Sequence, residues 1–306
     1  MASPVASSQV ILITGCAQGI GKEAALFLAR DPQRRFKVYA TMRNMATRQE
    51  ELKTEAGNML DDTLFIRELD VTKQETIDNT LKEMIEIEGK IDVLVNNAAL
   101  QSGAWWETSP METYYDLMEV NYFGCVRMTR AVVPYMKDKR SGRIIQISSG
   151  IGFRGIPHYV QYTATKFAVE GFSESIAPPL RKFNIWVSLI EPGYVATNMT
   201  KQFGENPSVI FAKTAESIPT AEERRIVTHM LTFDPEIVIG NDVLDPQDLA
   251  KQLQDVILSP KPDFRQPMQV DEIVRDGVVF SLSNDQPSCS ALNVLESFKE
   301  IVVDTC

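Results

Sequence analysis

Val10-Ile11-Leu12-Ile13 is a short apolar run with no polar residue at alternate positions. A strand of that composition has to be covered on both faces, which is the situation inside parallel sheets flanked by helices. Thr14-Gly15-Cys16-Ala17-Gln18-Gly19-Ile20-Gly21 follows, then a helical stretch from Lys22 to Arg30 carrying Ala24, Ala25, Leu26, Leu28 and Ala29. Strand, glycine-rich turn and helix in succession aim unsatisfied backbone N–H groups and a helix N-terminus at one point, which suits a phosphate. The glycine spacing is G-x-x-x-G-x-G, not the commoner dinucleotide fingerprint, and an ordinary tight turn could use the same residues. Both flanks favour cofactor binding, with Gly15, Ala17, Gln18, Gly19, Ile20 and Gly21 as the contact residues.

Further strands recur between helical stretches at Phe36 to Thr41, Leu64 to Leu69, Ile91 to Val95, Arg143 to Ser148 and Ile185 to Ile190. That rhythm predicts an α/β fold built on a doubly wound parallel sheet, with helices on both faces. Ligands of such sheets sit at the carboxyl ends of strands near the switch point. The second strand ends in Met42-Arg43, with no acid until Glu50. An acid there would bond the ribose of NAD, whereas an arginine accommodates a 2′-phosphate, so NADP(H) is favoured over NAD(H). The plainer role for Arg43 is a solvated loop charge. Asp70, followed by Val71, ends the third strand and would either accept from an adenine amino group or cap a helix starting near Thr72. Asn96-Asn97-Ala98-Ala99 follows the fourth strand, and Glu191-Pro192-Gly193-Tyr194-Val195-Ala196-Thr197 ends the sixth. A helical region from about Met111 to Lys137 carries Asn121 near its middle, and asparagine is a mediocre helix former, which suggests a local job. Pro267 demotes any seventh strand to a sheet edge.

Tyr162 and Lys166 stand four apart at the start of a helical pattern with Phe167, Ala168, Gly171, Phe172 and Ile176. On a helix they share a face, with side chains about 5–6 Å apart. An ammonium beside a phenol favours phenolate, so Lys166 is expected to lower the pKa of Tyr162 from about 10 toward neutrality. There the phenol could give or accept a proton. Ser149 ends the preceding strand and is separated from Tyr162 by a loop containing Ile156 and His158. Taken alone, Tyr-x-x-x-Lys equally describes a surface tyrosine covering a lysine stem.

The 31 basic and 41 acidic residues give a net charge of −10, which argues against nucleic acid and anionic membranes as main partners. Cys16, Cys125, Cys289 and Cys306 show no metal-like or framework spacing and suit reduced thiols in the cytoplasm. His158 and His229 are too few for a zinc site built on histidines, so no metal is expected. Residues 1–9 are small and polar and read as disordered, no charged leader precedes a long apolar region, and Val10 to Ile13 is too short to cross a membrane. Residues 10–306 are expected to form one catalytic domain, with a substrate lid at 198–241 and a C-terminal extension at 270–306 that carries no recognisable chemistry.

With Thr14–Gly21, Asn96–Ala99, Asn121, Ser149, Tyr162 and Lys166 in this order, residues from about 9 to 200 resemble the short-chain dehydrogenase/reductase superfamily. Leu12–Cys16, Phe36–Thr41, Lys166–Gly171 and Ser188–Glu191 look like the branch holding 17-beta-hydroxysteroid dehydrogenase type 1 and photoreceptor-type retinol dehydrogenase. The resemblance implies a Rossmann-type sheet of about seven strands and NADP(H)-dependent interconversion of an alcohol and a carbonyl on a small lipophilic substrate, of the steroid or retinoid class. It makes Tyr162 the general acid in reduction and the base in oxidation. Lys166 lowers its pKa and holds the nicotinamide ribose, Ser149 bonds the substrate carbonyl, and Asn121 holds a water in a proton relay. Asn97, Ala98 and Ala99 line the cofactor, and the backbone at Pro192, Gly193, Val195 and Thr197 orients its carboxamide. Ile156 and His229 are the expected further substrate contacts. A homodimer through the helices at about 111–137 and 162–183 is implied too, in a cytoplasmic protein whose peripheral membrane association stays open. Alternatives are a carbonyl reductase or alcohol dehydrogenase of specialised metabolism, or a non-catalytic nucleotide-sensing protein, which would show a broken tetrad. Departures from the family are Ala17 in place of a serine near the 2′-phosphate, Ala99 in place of glycine, and Pro178-Pro179 inside the expected catalytic helix, where proline kinks or ends helices.

Overall fold

A computed structural model describes residues 8–102, 105–153, 155, 159–201, 218–225 and 243–268. In β1 (Gln9–Ile13), Ile11 and Ile13 join the apolar layer on one face of the sheet while Val10 and Leu12 join the layer on the other. All four are fully buried, which is why the run has no polar alternation. The chain continues through α1 (Gly19–Ala29), β2 (Phe36–Met42), α2 (Met45–Arg48), α3 (Glu50–Ala56), β3 (Leu64–Glu68), α4 (Gln74–Glu88) and β4 (Val93–Asn96). Next come α5 (Met111–Met118), a π turn (Glu119–Phe123), α6 (Gly124–Lys139), β5 (Gly142–Ile147), α7 (Val160–Arg181), β6 (Ile185–Pro192) and α8 (Asn198–Lys201). Residues 221–225 are helical, and α9 (Pro246–Leu258) and β7 (Arg265–Met268) follow.

The seven strands pair in parallel in the order β3-β2-β1-β4-β5-β6-β7, the doubly wound arrangement expected. The order reverses between β1 and β4, so a crevice opens at their carboxyl ends. Leu28 of α1 and Leu253 of α9 cover one face; Leu81 of α4, Val132 of α6 and Leu180 of α7 cover the other. Burying one such side chain is worth roughly 1.5–3 kcal/mol, whereas an exposed pair such as Lys82–Glu86 contributes roughly 0.5 at most. The apolar sandwich, not surface charge, fixes where the strand ends lie. β7 takes the edge, consistent with Pro267.

Three elements differ from expectation. The helix predicted over Met111 to Lys137 is two helices joined by the π turn, and Asn121 lies in that turn. Pro178-Pro179 do not end α7, which runs on to Arg181. Both prolines sit near its last turn, which Lys182 N–H closes onto Pro179 O (3.3 Å) and Phe183 N–H onto Leu180 O (2.9 Å). Packing of the buried Leu180 against the sheet holds the segment helical despite the lost bonds. α4 begins at Gln74, two residues later than the helix start expected near Thr72. Ile156, His158, His229, most of the expected lid and the extension at 270–306 lie outside the described residues.

Candidate active site

The glycine turn after β1 is pressed onto the segment after β4. Gly15 and Gly19 have φ of +75° and +61°, a region glycine enters without steric penalty. A Cβ at Gly21 would lie 2.4 Å from Asn97 Nδ2 and 2.7 Å from the Gly15 carbonyl oxygen. Asn97 Nδ2 donates to the carbonyls of Thr14 (2.8 Å) and Gly15 (3.1 Å), and the N–H groups of Asn97 and Ala98 both donate to Thr14 Oγ1 at 3.0 Å. Asn97 therefore shapes the turn with its side chain, and Thr14 is the latch. Ala17 and Ile20 pack on the core, and Ala99 is partly buried beside Ala98.

α1 starts without a side-chain cap from Gln18, which leaves its first N–H groups to a ligand or to solvent. Gln18 Oε1 instead accepts from Asn198 Nδ2 at 3.3 Å. The segment after β6 forms the opposite lip: a Cβ at Gly19 would come 3.4 Å from Thr197 Cβ. Gly193 N–H donates to Met268 O (3.1 Å) and Ala196 N–H to Leu244 O (3.0 Å), which pins the lip; Val195 and Thr197 are buried. Two left-handed glycines, an uncapped helix start and a sheet switch point fit a dinucleotide diphosphate.

At the end of β2, Arg43 is exposed. Asp70 Oδ1 accepts from the Thr72 N–H (3.0 Å) and hydroxyl (2.7 Å), so it closes a turn ahead of α4 and is not the helix cap. Burial pushes the Asp70 carboxyl up, but those two bonds and the charges of Lys73 and Arg43 outweigh it and leave it below its usual pKa. Val71 is buried against Gly124, where a Cβ would meet Val71 Cγ2 at 2.6 Å.

Lys166 is buried, its Nζ donates to Ile147 O at 2.8 Å, and it stands 5.4 Å from the centroid of the Tyr162 ring. Burial lowers its pKa to about 8, against the opposing pull of Cys125 and Glu170. Tyr162 moves the other way: burial, with a contribution from Tyr159, raises its phenol above the ordinary value. The predicted lowering by Lys166 is thus not what this arrangement gives. The ammonium faces the ring, its hydrogen bond goes to Ile147, and desolvation outweighs its field.

Ser149 Oγ accepts from Ile151 N–H over a long 3.4 Å, and Gly150 N–H donates to Pro192 O at 2.8 Å, joining the serine loop to the lip. Asn121 Oδ1 accepts from Leu100 N–H (2.7 Å), while its Nδ2 donates to Leu100 O (2.8 Å) and Thr165 Oγ1 (3.0 Å). Both amide hydrogens are used, so a water held by Asn121 would have to meet its carbonyl groups. Thr14, Ala98, Asn121, Gln146 and Lys166 line a cavity with room for about one water molecule. Asn96 Oδ1 and Gln146 Nε2, also in its walls, have no hydrogen-bond partner among the described residues. The glycine turn, the π turn and α7 therefore meet at one polar place. Ile156 and His229 cannot be placed beside them, lying outside the described residues. Sequence reading missed Thr14 as the latch.

Residues 9–208 match the family model described as short chain dehydrogenase. Human retinol dehydrogenase 8 is 37% identical over 261 residues, covering 85% of this chain and 81% of that protein. Human 17-beta-hydroxysteroid dehydrogenase type 1 is 34% identical over 259 residues, covering 84% and 76%. Among solved structures, a short-chain dehydrogenase from Streptomyces avermitilis superposes with a TM-score of 0.68 at 28% identity, over 98% of this chain and 99% of that one. A serine dehydrogenase complexed with NADP+ gives 0.67 at 28% identity, over 85% and 94%.

Proposed function

The chain belongs to the short-chain dehydrogenase family, and from that premise we propose that it is an NADP(H)-dependent oxidoreductase interconverting an alcohol and a carbonyl on a lipophilic substrate of the steroid or retinoid class. The observation that carries this reading is Lys166 anchored to the Ile147 carbonyl, one helical turn from Tyr162 and at the strand end that presents Ser149. The substrate class rests on the relatives, one a retinol and one a hydroxysteroid dehydrogenase.

The glycine turn and the uncapped α1 would hold the cofactor diphosphate, Arg43 the 2′-phosphate and Lys166 the nicotinamide ribose. Bound NADPH supplies the hydride. Tyr162, kept protonated by burial, passes its proton to the carbonyl oxygen as the C=O bond becomes an alcohol, and the Lys166 ammonium stabilises the phenolate left behind. Ser149 Oγ–H donates a second hydrogen bond to that oxygen, a type of contact whose loss costs about 10²–10³-fold in kcat. In the reverse direction the phenolate takes the alcohol proton. We place the protein in the cytoplasm as a homodimer; no described helix is long and apolar enough to cross a membrane.

The test is NADPH oxidation by the purified protein with a panel of steroid and retinoid carbonyls. Turnover of at least one is expected, and Tyr162→Phe should lose nearly all of it while keeping its affinity for NADPH. No turnover of any panel member removes the substrate class, and an active Tyr162→Phe overturns the mechanism. NADPH binding with no carbonyl reduced at all would favour a nucleotide sensor.

A further inference from the structure

Behind the serine loop one guanidinium meets three carboxylates. Arg265, on the edge strand β7, donates from Nη1 to Glu170 Oε2 (2.7 Å) and to Glu191 Oε1, and from Nη2 to Glu174 Oε1 (2.5 Å). Glu170 and Glu191 are buried, with side chains 7% and 3% exposed. The other oxygen of Glu170, Oε1, accepts from the buried Ser148 hydroxyl. Gly152 lies directly on that pair: a Cβ there would come 2.6 Å from Ser148 Oγ and 2.8 Å from Glu170 Oε1. Gly152 N–H in turn donates to Ser149 O at 2.8 Å.

Burying carboxylates that outnumber their cation is a poor way to gain stability, since well-packed apolar groups commonly do as well or better. What this cluster does is join three elements that each carry part of the site. Glu170 stands one turn beyond Lys166 on α7, Ser148 precedes Ser149, and Glu191 precedes the lip at Pro192. We infer that Arg265 is a positioning residue: by clamping Glu170 and Glu191 it fixes the Ser148–Gly152 loop, and with it the Ser149 hydroxyl, against α7 and the lip. The inference rests on the catalytic reading above only for its activity readout.

Ser148→Ala deletes the hydroxyl that meets Glu170, and Arg265→Lys keeps the charge but loses the fork. Both are compared with the full-length wild type, by hydrogen–deuterium exchange in excess NADPH and by steady-state kinetics with NADPH varied. Peptides covering 148–153 should exchange about tenfold faster in both variants while those from β1 and β4 stay unchanged. The kcat should fall roughly tenfold or more, with the KM for NADPH within about threefold, as expected when a contact acts in the chemical step. The double variant should fall no further than the worse single one, because both break the same strut. Unchanged exchange in the loop, a uniform rise across the sheet, or kcat losses that multiply would each overturn the inference. If Arg265→Lys fails to fold, Ser148→Ala decides alone. A wild type that reduces no carbonyl would sink the catalytic reading and leave exchange to decide this one. An active wild type with variants indistinguishable from it would sink the inference and leave the catalytic reading standing.

Discussion

A lysine as buried as Lys166 holds its proton less tightly than one in water, and its pKa of about 8 sets when the charge is lost. Among its neighbours, the Cys125 thiol is pushed to about 12 and Tyr162 is raised as well, both by burial, so both stay neutral as Lys166 titrates. Glu170 accepts from the Ser148 hydroxyl and from Arg265. The ammonium donates to ribose hydroxyls more strongly than the neutral amine, and it is lost as pH rises through the folded pKa. The dissociation constant for NADPH should therefore rise between pH of about 7 and about 9.5, read by fluorescence titration. In Lys166→Met that rise should vanish, and a wild type with a flat profile would refute the assignment. Gly21 sets a steric limit instead. A methyl group at 21 has to displace Asn97 Nδ2 or the Gly15 carbonyl, and neither is a flexible chain end. Gly21→Ala should lower stability by about 1–3 kcal/mol and weaken NADPH binding at least tenfold or so, because Asn97 is the brace of the turn. A thermal melt and a titration read both, and unaltered binding would show that the turn tolerates the shift.

At the scale of elements, the π turn is where a sequence signal and its structural cause differ. Asparagine inside a long helical pattern pointed to a local job at Asn121, but an extra residue in a helical turn has no compositional signature, so the break between α5 and α6 was not legible. The job visible in the structure is a two-way pairing with the Leu100 backbone plus a bond to Thr165. Asn121→Ala would leave the partly buried N–H and carbonyl of Leu100 without their present partner, at about 1–3 kcal/mol each. Denaturant unfolding should show a loss of about 2–4 kcal/mol, and a loss below the precision of the measurement would mean that solvent replaces the amide. The strands were legible because burial on both faces leaves an unbroken apolar run in β1, and the cradle because glycines mark a turn. The Thr14 latch and the inward amide of Asn97 were not, since they depend on two strand ends about eighty residues apart being brought together. Pro178-Pro179 misled for a related reason: Leu180 packing overrides local propensity. The sign of the Tyr162 shift was missed because burial of the phenol cannot be read from a four-residue spacing.

On the scale of the molecule, the exposed aromatic side chains among the described residues are Trp106, ahead of α5, and one each on α5, the π turn and α7. Tyr115 of α5 is 65% exposed, and Phe123 of the π turn and Phe167 of α7 are each 45% exposed. Covering a large apolar side chain fully is worth roughly 1.5–3 kcal/mol, so each of these side chains gains if a second copy covers it. Gly171, on the same helix as Phe167, has nothing within 4 Å of where a Cβ would sit, which allows another helix to approach closely. A two-fold pairing would use each residue twice, once from either copy, so a change at one position is felt at two places in the interface. Phe123→Arg combined with Phe167→Arg would then bring four charges into one contact, against which no apolar gain of this size prevails. Sedimentation equilibrium should give a dimer for the wild type and a monomer for the double variant, with the circular dichroism of the two superimposable. A wild type that sediments as a monomer at every concentration tried would remove the dimer, and these aromatics would then need another cover.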